Sequence, residues 1–402
     1  MPSLASGYRP LLRTPGAAAF FLAASVGRVG IAMTGLGLVW LVHARTGSYG
    51  TAGQVAAAFS VAEALIGPHL ARLIDRFGQT RVLPWCLLCH GAAVAGVLSA
   101  ASAGSRAALV AAAACAGAAV PQLGACSAAR WVALLRGGRD GELPTAFSLE
   151  SLTNATGFLL GPVAVTALGA AGRASLATAL AAALIVGGGG VLALQRRTAP
   201  APARGDTEAT GTVRGLLRPD FLLLALLNLA IGLYFGTMAI AVSAFAVGHG
   251  TPGAAAPIIA AASLGGLLSG WFYGTRPRRA PAHLQLVRAT LYMTCAGLLL
   301  PLAPSAPWLG AAVVMTEAAV PPTLVLLNVL TEKSVPRAVL TQAFTWNNST
   351  SAAGSAVAGW LAGRTADALG ASAALALAPA AGLVLVTLAL ASRRRSLRPG
   401  AV

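Results

Sequence analysis

Long apolar runs separated by short polar breaks dominate this chain. Twelve runs approach the roughly 20 residues that a bilayer-crossing helix needs. They fall at about 17–43, 51–71, 82–102, 106–129, 144–169, 174–194, 220–247, 253–274, 284–303, 306–330, 338–363 and 371–391. The pattern predicts an all-α integral membrane protein. Composition agrees: 56% of the 402 residues are hydrophobic and 10% are charged, against about 25% charged in a soluble domain. The mean hydropathy is +0.75. The first run is longer than the roughly 7–15-residue core of a signal peptide, so it reads as an uncleaved helix. Many spans are rich in Ala and Gly, and small residues let membrane helices approach closely. Gly157-x-x-x-Gly161, Gly266-x-x-x-Gly270-x-x-x-Gly274 and Gly359-x-x-x-Gly363 have the spacing for such contacts, or for chance in a Gly-rich chain.

The net charge of +17 is placed by topology. With both termini inside, Arg45, Arg106, Arg173 and Arg364 lie outside and Arg28 lies within a span. The rest of the 28 Lys and Arg residues fall on the inner side. Cytoplasmic loops carry such an excess. The basic balance therefore reads as orientation and contact with anionic lipid, not as nucleic-acid binding. Both termini are expected in the cytoplasm and the chain in the cytoplasmic membrane.

An internal repeat divides the chain. Ala118-Ala-Val-Pro121 returns as Ala318-Ala-Val-Pro321, 200 residues later. Ala146-Phe147 aligns with Ala343-Phe344, and Phe21-Leu22 and Arg28 align with Phe221-Leu222 and Asn228. Two six-helix halves are expected, 1–195 and 220–402. They are joined by a cytoplasmic linker, 196–219, which contains Pro200, Pro202, Arg204, Gly205, Asp206, Glu208 and Gly211. Parallel halves around a midplane site are a transporter design.

The break between spans two and three contains Gly67, Asp75, Arg76, Gly78 and Arg81. This tract resembles the loop between helices two and three of major facilitator superfamily transporters, roughly Gly-x-x-x-Asp-Arg-x-Gly-Arg-Arg, with Ala71 in place of the usual first glycine. Gly157-Phe-Leu-Leu-Gly161-Pro162 in span five resembles the Gly-x-x-x-Gly-Pro motif of antiporters in that family, although Val163 and Ala164 replace the glycines that usually follow. Proline removes a backbone donor and bends a helix. Gly270-Trp-Phe-Tyr-Gly274-Thr-Arg276 stands where the second half would repeat the Asp75 tract, but has no acid. The resemblance implies the twelve-helix fold of that superfamily and, for a bacterial efflux-type member, proton-driven export of a small amphipathic molecule. It also implies that Asp75 latches one state of the cycle.

Polar residues within spans are the candidate site. Charges there are costly, at about 2.5–3.5 kcal/mol on insertion scales, and usually face a cavity or a partner. They are Arg28, Glu63, Glu150, Asn154, Asn228, Glu317, Asn328, Asn347 and Asn348. Counting rise per residue, Arg28 is about 16 Å and Glu63 about 12 Å above the inner face, a depth match that predicts an ion pair, either structural or proton-exchanging. Glu150 is about 9 Å deep and either contacts the loops or pairs with Arg130 or Arg136. Glu317 precedes Pro321-Pro322, which should kink span ten and free carbonyls; a proton or cation site and a structural role both fit. Asn347, Asn348, Ser349, Thr350 and Ser351 serve either contacts between helices or substrate.

Several classes are excluded or disfavoured. Cys86-Leu-Leu-Cys89-His90 has the haem-attachment spacing but lies inside span three. The five histidines are scattered and suggest no metal site, no P-loop is present, and no nucleophile–base grouping is visible, so neither cofactor nor enzymatic chemistry is expected. The expected partners are a small-molecule substrate, protons and membrane lipid, with the chain a monomer. Rival readings are a sugar or metabolite carrier of the same fold, a non-transporting membrane sensor and a membrane-embedded enzyme.

Overall fold

The protein, described by a computed structural model over residues 7–202, 216–276 and 280–396, is built of helices. In chain order they are α1 (Tyr8–Leu12), α2 (Ala17–Thr46), α3 (Tyr49–Phe77), α4 (Gln79–Ala103), α5 (Arg106–Ala118), α6 (Leu123–Leu135), α7 (Leu143–Ala170) and α8 (Ala174–Leu194). After the linker come α9 (Pro219–Gly248), α10 (Ala255–Thr275), α11 (Ala282–Gly297), α12 (Ala306–Glu317), α13 (Val320–Ser334), α14 (Leu340–Leu369) and α15 (Ala371–Ser396). Of the expected linker, Arg204, Gly205, Asp206, Glu208 and Gly211 lie outside the described residues, as do Arg214, Arg278, Arg279 and Arg398.

Local chemistry sets the turns. Ser48 caps α3 by accepting from the Thr51 N–H at 3.2 Å, and Ser105 caps α5 by accepting from the Ala108 N–H at 3.3 Å. Such caps satisfy donors that a helix start leaves orphaned. Gly78, at φ +90°, ends α3 and opens α4. A residue with a side chain would be strained there.

Among the described residues, ten helical segments are long and apolar enough to span a membrane, against the twelve expected. The shortfall is at expected spans nine and eleven. Helix α11 has only 16 residues, after which the chain continues in turns. Helix α14 has 30 residues, but its polar patch around Asn347 and Asn348 lowers its apolarity.

The Ala-Ala-Val-Pro repeat produces the same break twice. Span four splits into α5 and α6 at Pro121, and span ten into α12 and α13 beside Pro321. Each break frees carbonyls that a side chain then meets. His90 Nδ1 lies 2.9 Å from the Ala116 carbonyl, and Ser269 Oγ donates to the Ala318 carbonyl. Helix α2 packs most closely on α8 and α7, and α9 on α14 and α15. Contact at the α9–α14 crossing depends on Gly232 and Gly236, where a methyl group would overlap the carbonyls of Ser351 and Ser355. That pair went unnoticed in the sequence. The expected Gly359/Gly363 pair is looser, and nothing lies within 4 Å of a methyl built on Gly363.

Candidate transport site and gate

Two groups of residues stand out, one buried among the helices and one at the end of the bundle that holds α1. In the first, Arg28 of α2 reaches α7. Its Nη1 lies 2.5 Å from Glu150 Oε2, and its Nη2 donates to the Glu150 carbonyl and to Asn154 Oδ1, each at 3.2 Å. The other Glu150 oxygen, Oε1, accepts from Ser127 Oγ at 2.5 Å and Trp131 Nε1 at 2.9 Å, both on α6. A charge held out of water needs a partner and further hydrogen bonds, and this carboxylate has both.

The pair corrects two sequence expectations. Arg28 pairs with Glu150 and not with Glu63. The depth match fixed height along the helices but not which faces meet, and a long arginine side chain spans the remaining difference. Glu63 is half-buried and makes no hydrogen bond or ion pair among the described residues. Glu150, in turn, does not pair with Arg130. That arginine is fully buried and donates to neutral acceptors: Gln79 Oε1 at 2.7 Å, Thr198 Oγ1 at 2.8 Å, and the carbonyls of Leu192 and Gln195 at 2.9 Å. It thus sits on the C-terminal carbonyls of α8, where a cation is favoured.

On the other side of the chain, Glu317 is the last residue of α12, at the break. Its Oε1 lies 3.2 Å from the hydroxyl of Tyr234, which also lies 2.8 Å from Thr316 Oγ1. Among the described residues no cation pairs with Glu317. Asn347 donates to Thr331 Oγ1 at 2.8 Å, a contact between helices, and Asn228 donates to the Leu224 carbonyl of its own helix at 2.8 Å. Asn328 is half-buried and Asn348 exposed. Gly161 lies close against α2, where a methyl would come 3.2 Å from Ala32, and Gly157 and Pro162 lie in the same stretch of α7.

The second group joins residues 7–202 to residues 216–396. Asp75, near the end of α3, accepts from the backbone N–H groups of Gln342 at 2.9 Å and Thr341 at 3.3 Å, in the first turn of α14. Helix N-termini leave these donors orphaned and favour negative charge, so Asp75 caps a helix from across the molecule. Gly67, one face round on α3, lies against Thr345 and Gln122. Arg76 and Arg81 are exposed, with Arg76 stacked over Phe77. Between the two sides the rings of Phe147 and Phe344 meet edge-on at 5.8 Å. Beyond them Ser148 donates to the Gly270 carbonyl at 2.5 Å, and Tyr8 to the Trp271 carbonyl at 3.0 Å. These contacts join the two sides at the end of the bundle that holds α1. Tyr8, Ser148, Ser127, Trp131 and Tyr234 were not among the expected residues. Trp131 and Tyr234 carried the one available signal, a polar atom on an aromatic ring within an apolar run.

The sequence profile of the Major Facilitator Superfamily matches residues 20–359. No curated protein sequence matches the chain. Among solved structures, the chain is similar to the human organic anion transporter MFSD10 (TETRAN), at 17% identity and TM-score 0.69, over 97% of this chain and 100% of that one. It is similar to a bacterial homologue of the iron transporter ferroportin in its outward-facing state, at 12% identity and TM-score 0.77, over 94% and 99%. It is also similar to the transporter FucP in the outward conformation, at 15% identity and TM-score 0.70, over 94% and 97%. Identities this low establish the shared fold, and the transporters matched differ in what they carry. With residues 20–359 matched, the chain belongs to the major facilitator superfamily, and it is a secondary active transporter working by alternating access rather than an enzyme.

Proposed function

We propose that the protein exports a small amphipathic molecule across the cytoplasmic membrane in exchange for protons. The observation that carries the coupling is Glu317, a carboxyl at the C-terminal end of a broken helix, contacted by the Tyr234 hydroxyl and, among the described residues, without a paired cation. Such a group can take up and release a proton without stranding an opposite charge. Glu150 contrasts with it, being paired with Arg28 and accepting hydrogen bonds from two further donors. Half-helix ends and freed carbonyls are the usual environment of coupling ions in transporters.

The end that holds α1 and Asp75 is the cytoplasmic one in this reading, as its arginines favour. The chain then has twelve spans in two six-helix halves, 1–195 and 220–402, with α11 and the following turns as span nine and α14 as span eleven. It works as a monomer. Asp75 is a latch for the state closed to the cytoplasm.

The test is a substrate panel on inverted vesicles under an imposed pH gradient. Gradient-driven uptake is expected for at least one amphipathic compound and lost in Glu317→Gln. Absence of gradient-dependent flux across a broad panel, or full coupling in Glu317→Gln, would overturn the reading.

A further inference from the structure

The two seams that close the α1 end are related by the internal repeat, but their chemistry differs. At the α3–α14 seam, a carboxylate on the end of α3 receives two backbone N–H groups of α14. The corresponding helix end, Gly270 to Arg276, has no acid with which to receive the start of α7. The α7–α10 seam must be held by something else.

What fills it comes from outside the spanning helices. Helix α1 is a single short turn, anchored by the fully buried Leu11. It carries Tyr8 into the seam, where only 7% of that residue remains exposed. Two hydroxyls face two backbone carbonyls there. Ser148 Oγ is 2.5 Å from the Gly270 oxygen; Tyr8 Oη is 3.0 Å from the Trp271 oxygen, 3.4 Å from the Gly270 oxygen and 3.1 Å from Ser148 Oγ. Each hydroxyl has one proton, so the arrangement closes with Ser148 donating to Gly270 and Tyr8 donating to Trp271. Each carbonyl has a second lone pair for this bond beyond its helical one. Burial pushes the Tyr8 phenol up from its ordinary value of 10, against a smaller lowering by Ser148, so the donor proton stays in place.

The glycines of α10 make the room. A methyl group on Gly274 would overlap both the Tyr8 hydroxyl and Ser148 Oγ. Gly7, preceding Tyr8, also lies against the backbone of Gly274 and Thr275. The spacing that suggested helix packing in the sequence thus receives a tyrosine from the chain's N-terminal segment.

We propose that Tyr8 is a positioning residue of the transport cycle: its hydroxyl clasps the Trp271 carbonyl and holds the α7–α10 seam shut, in the place where the second half lacks a counterpart of Asp75. Release of this bond then belongs to the opening of the α1 end, and the N-terminal segment helps to set how long the transporter stays closed there. The inference needs alternating access but neither the substrate nor the coupling group proposed above.

The experiment is a spin–spin distance measurement between labels at Arg136 and Lys333, exposed positions on the two sides of the α1 end. It uses the full chain in lipid nanodiscs, with the five native cysteines replaced by alanine and no substrate or gradient. Tyr8→Phe keeps the ring and removes the donor. One hydrogen bond's net worth predicts a rise of about two- to tenfold in the ratio of long-distance to short-distance populations. Gly274→Ala, which crowds the same hydroxyl, should shift it in the same direction and serves alone should Tyr8→Phe not fold. The melting temperature of Tyr8→Phe should stay near that of the parent, which separates a clasp on one state from general support of the fold. Distance distributions unchanged in the variants that fold would overturn the proposal, as would a loss of melting temperature with no change in distances. Because no flux is measured, failure here leaves the Glu317 assignment standing, and the converse also holds.

Discussion

The α3–α14 and α7–α10 seams meet at the same end of the molecule and follow the same repeat, yet one is charged and the other neutral. Asp75 places a carboxyl group on the first turn of α14, where the helix dipole and two N–H groups converge and favour its charged form. Tyr8 and Ser148 place hydroxyls on carbonyls near the end of α10. A charge at a helix N-terminus contributes up to about 2 kcal/mol in a partly buried setting, and a neutral hydrogen bond about 1 kcal/mol net. The charged seam should therefore be the stronger hold, and the neutral seam the one that adjusts the balance. The helix breaks recur at the two Ala-Ala-Val-Pro segments, while the chemistry at the two seams differs.

The largest expected effect tests the frame on which this comparison rests. Glu150→Ala leaves the half-buried Arg28 without its partner and should cost up to about 3–5 kcal/mol, read as a drop in thermal stability of the purified protein. A small change would mean that Arg28 finds solvent, and that α2 and α7 are not the rigid elements carrying the seams. Next comes the charged seam itself. Asp75→Asn should weaken the closed state by up to about 2 kcal/mol, seen as more open population at the α1 end, with an unchanged substrate range. A changed range with an unchanged balance would make Asp75 part of a binding site and dissolve the comparison. Smallest is the neutral seam: Ser148→Ala should shift the same balance by about 1 kcal/mol, less than Asp75→Asn. The reverse order would show that hydroxyls, not charge, govern closure.

Much of this frame was legible in the sequence. The apolar runs located the helices, and Pro321-Pro322 pointed to the break in span ten, because a proline's missing donor acts locally; the break at Pro121, in the matching segment of span four, was read only as a repeat. The partners were less legible. Depth along α2 and α3 suggested Arg28 with Glu63, but partner choice depends on which helix faces meet, and that is set by packing of small residues such as Gly161 on Ala32. Of the twelve expected spans, ten meet length and apolarity among the described residues, and α14 falls short because it retains its length while its polar patch removes its apolar signature. Tyr8 was invisible for a different reason. A five-residue helix has no periodicity to read, and its target is backbone carbonyl, which leaves no pattern in side chains.

The most direct test of the two-seam account is the Arg136–Lys333 distance distribution measured in four proteins: the parent, Asp75→Asn, Tyr8→Phe and the double variant. If the seams close one end together through separate contacts, the parent is mainly short, Asp75→Asn opens more than Tyr8→Phe, and the double variant shifts by their sum to within about 0.5 kcal/mol. A distribution that stays short in Asp75→Asn and in the double variant would contradict the account.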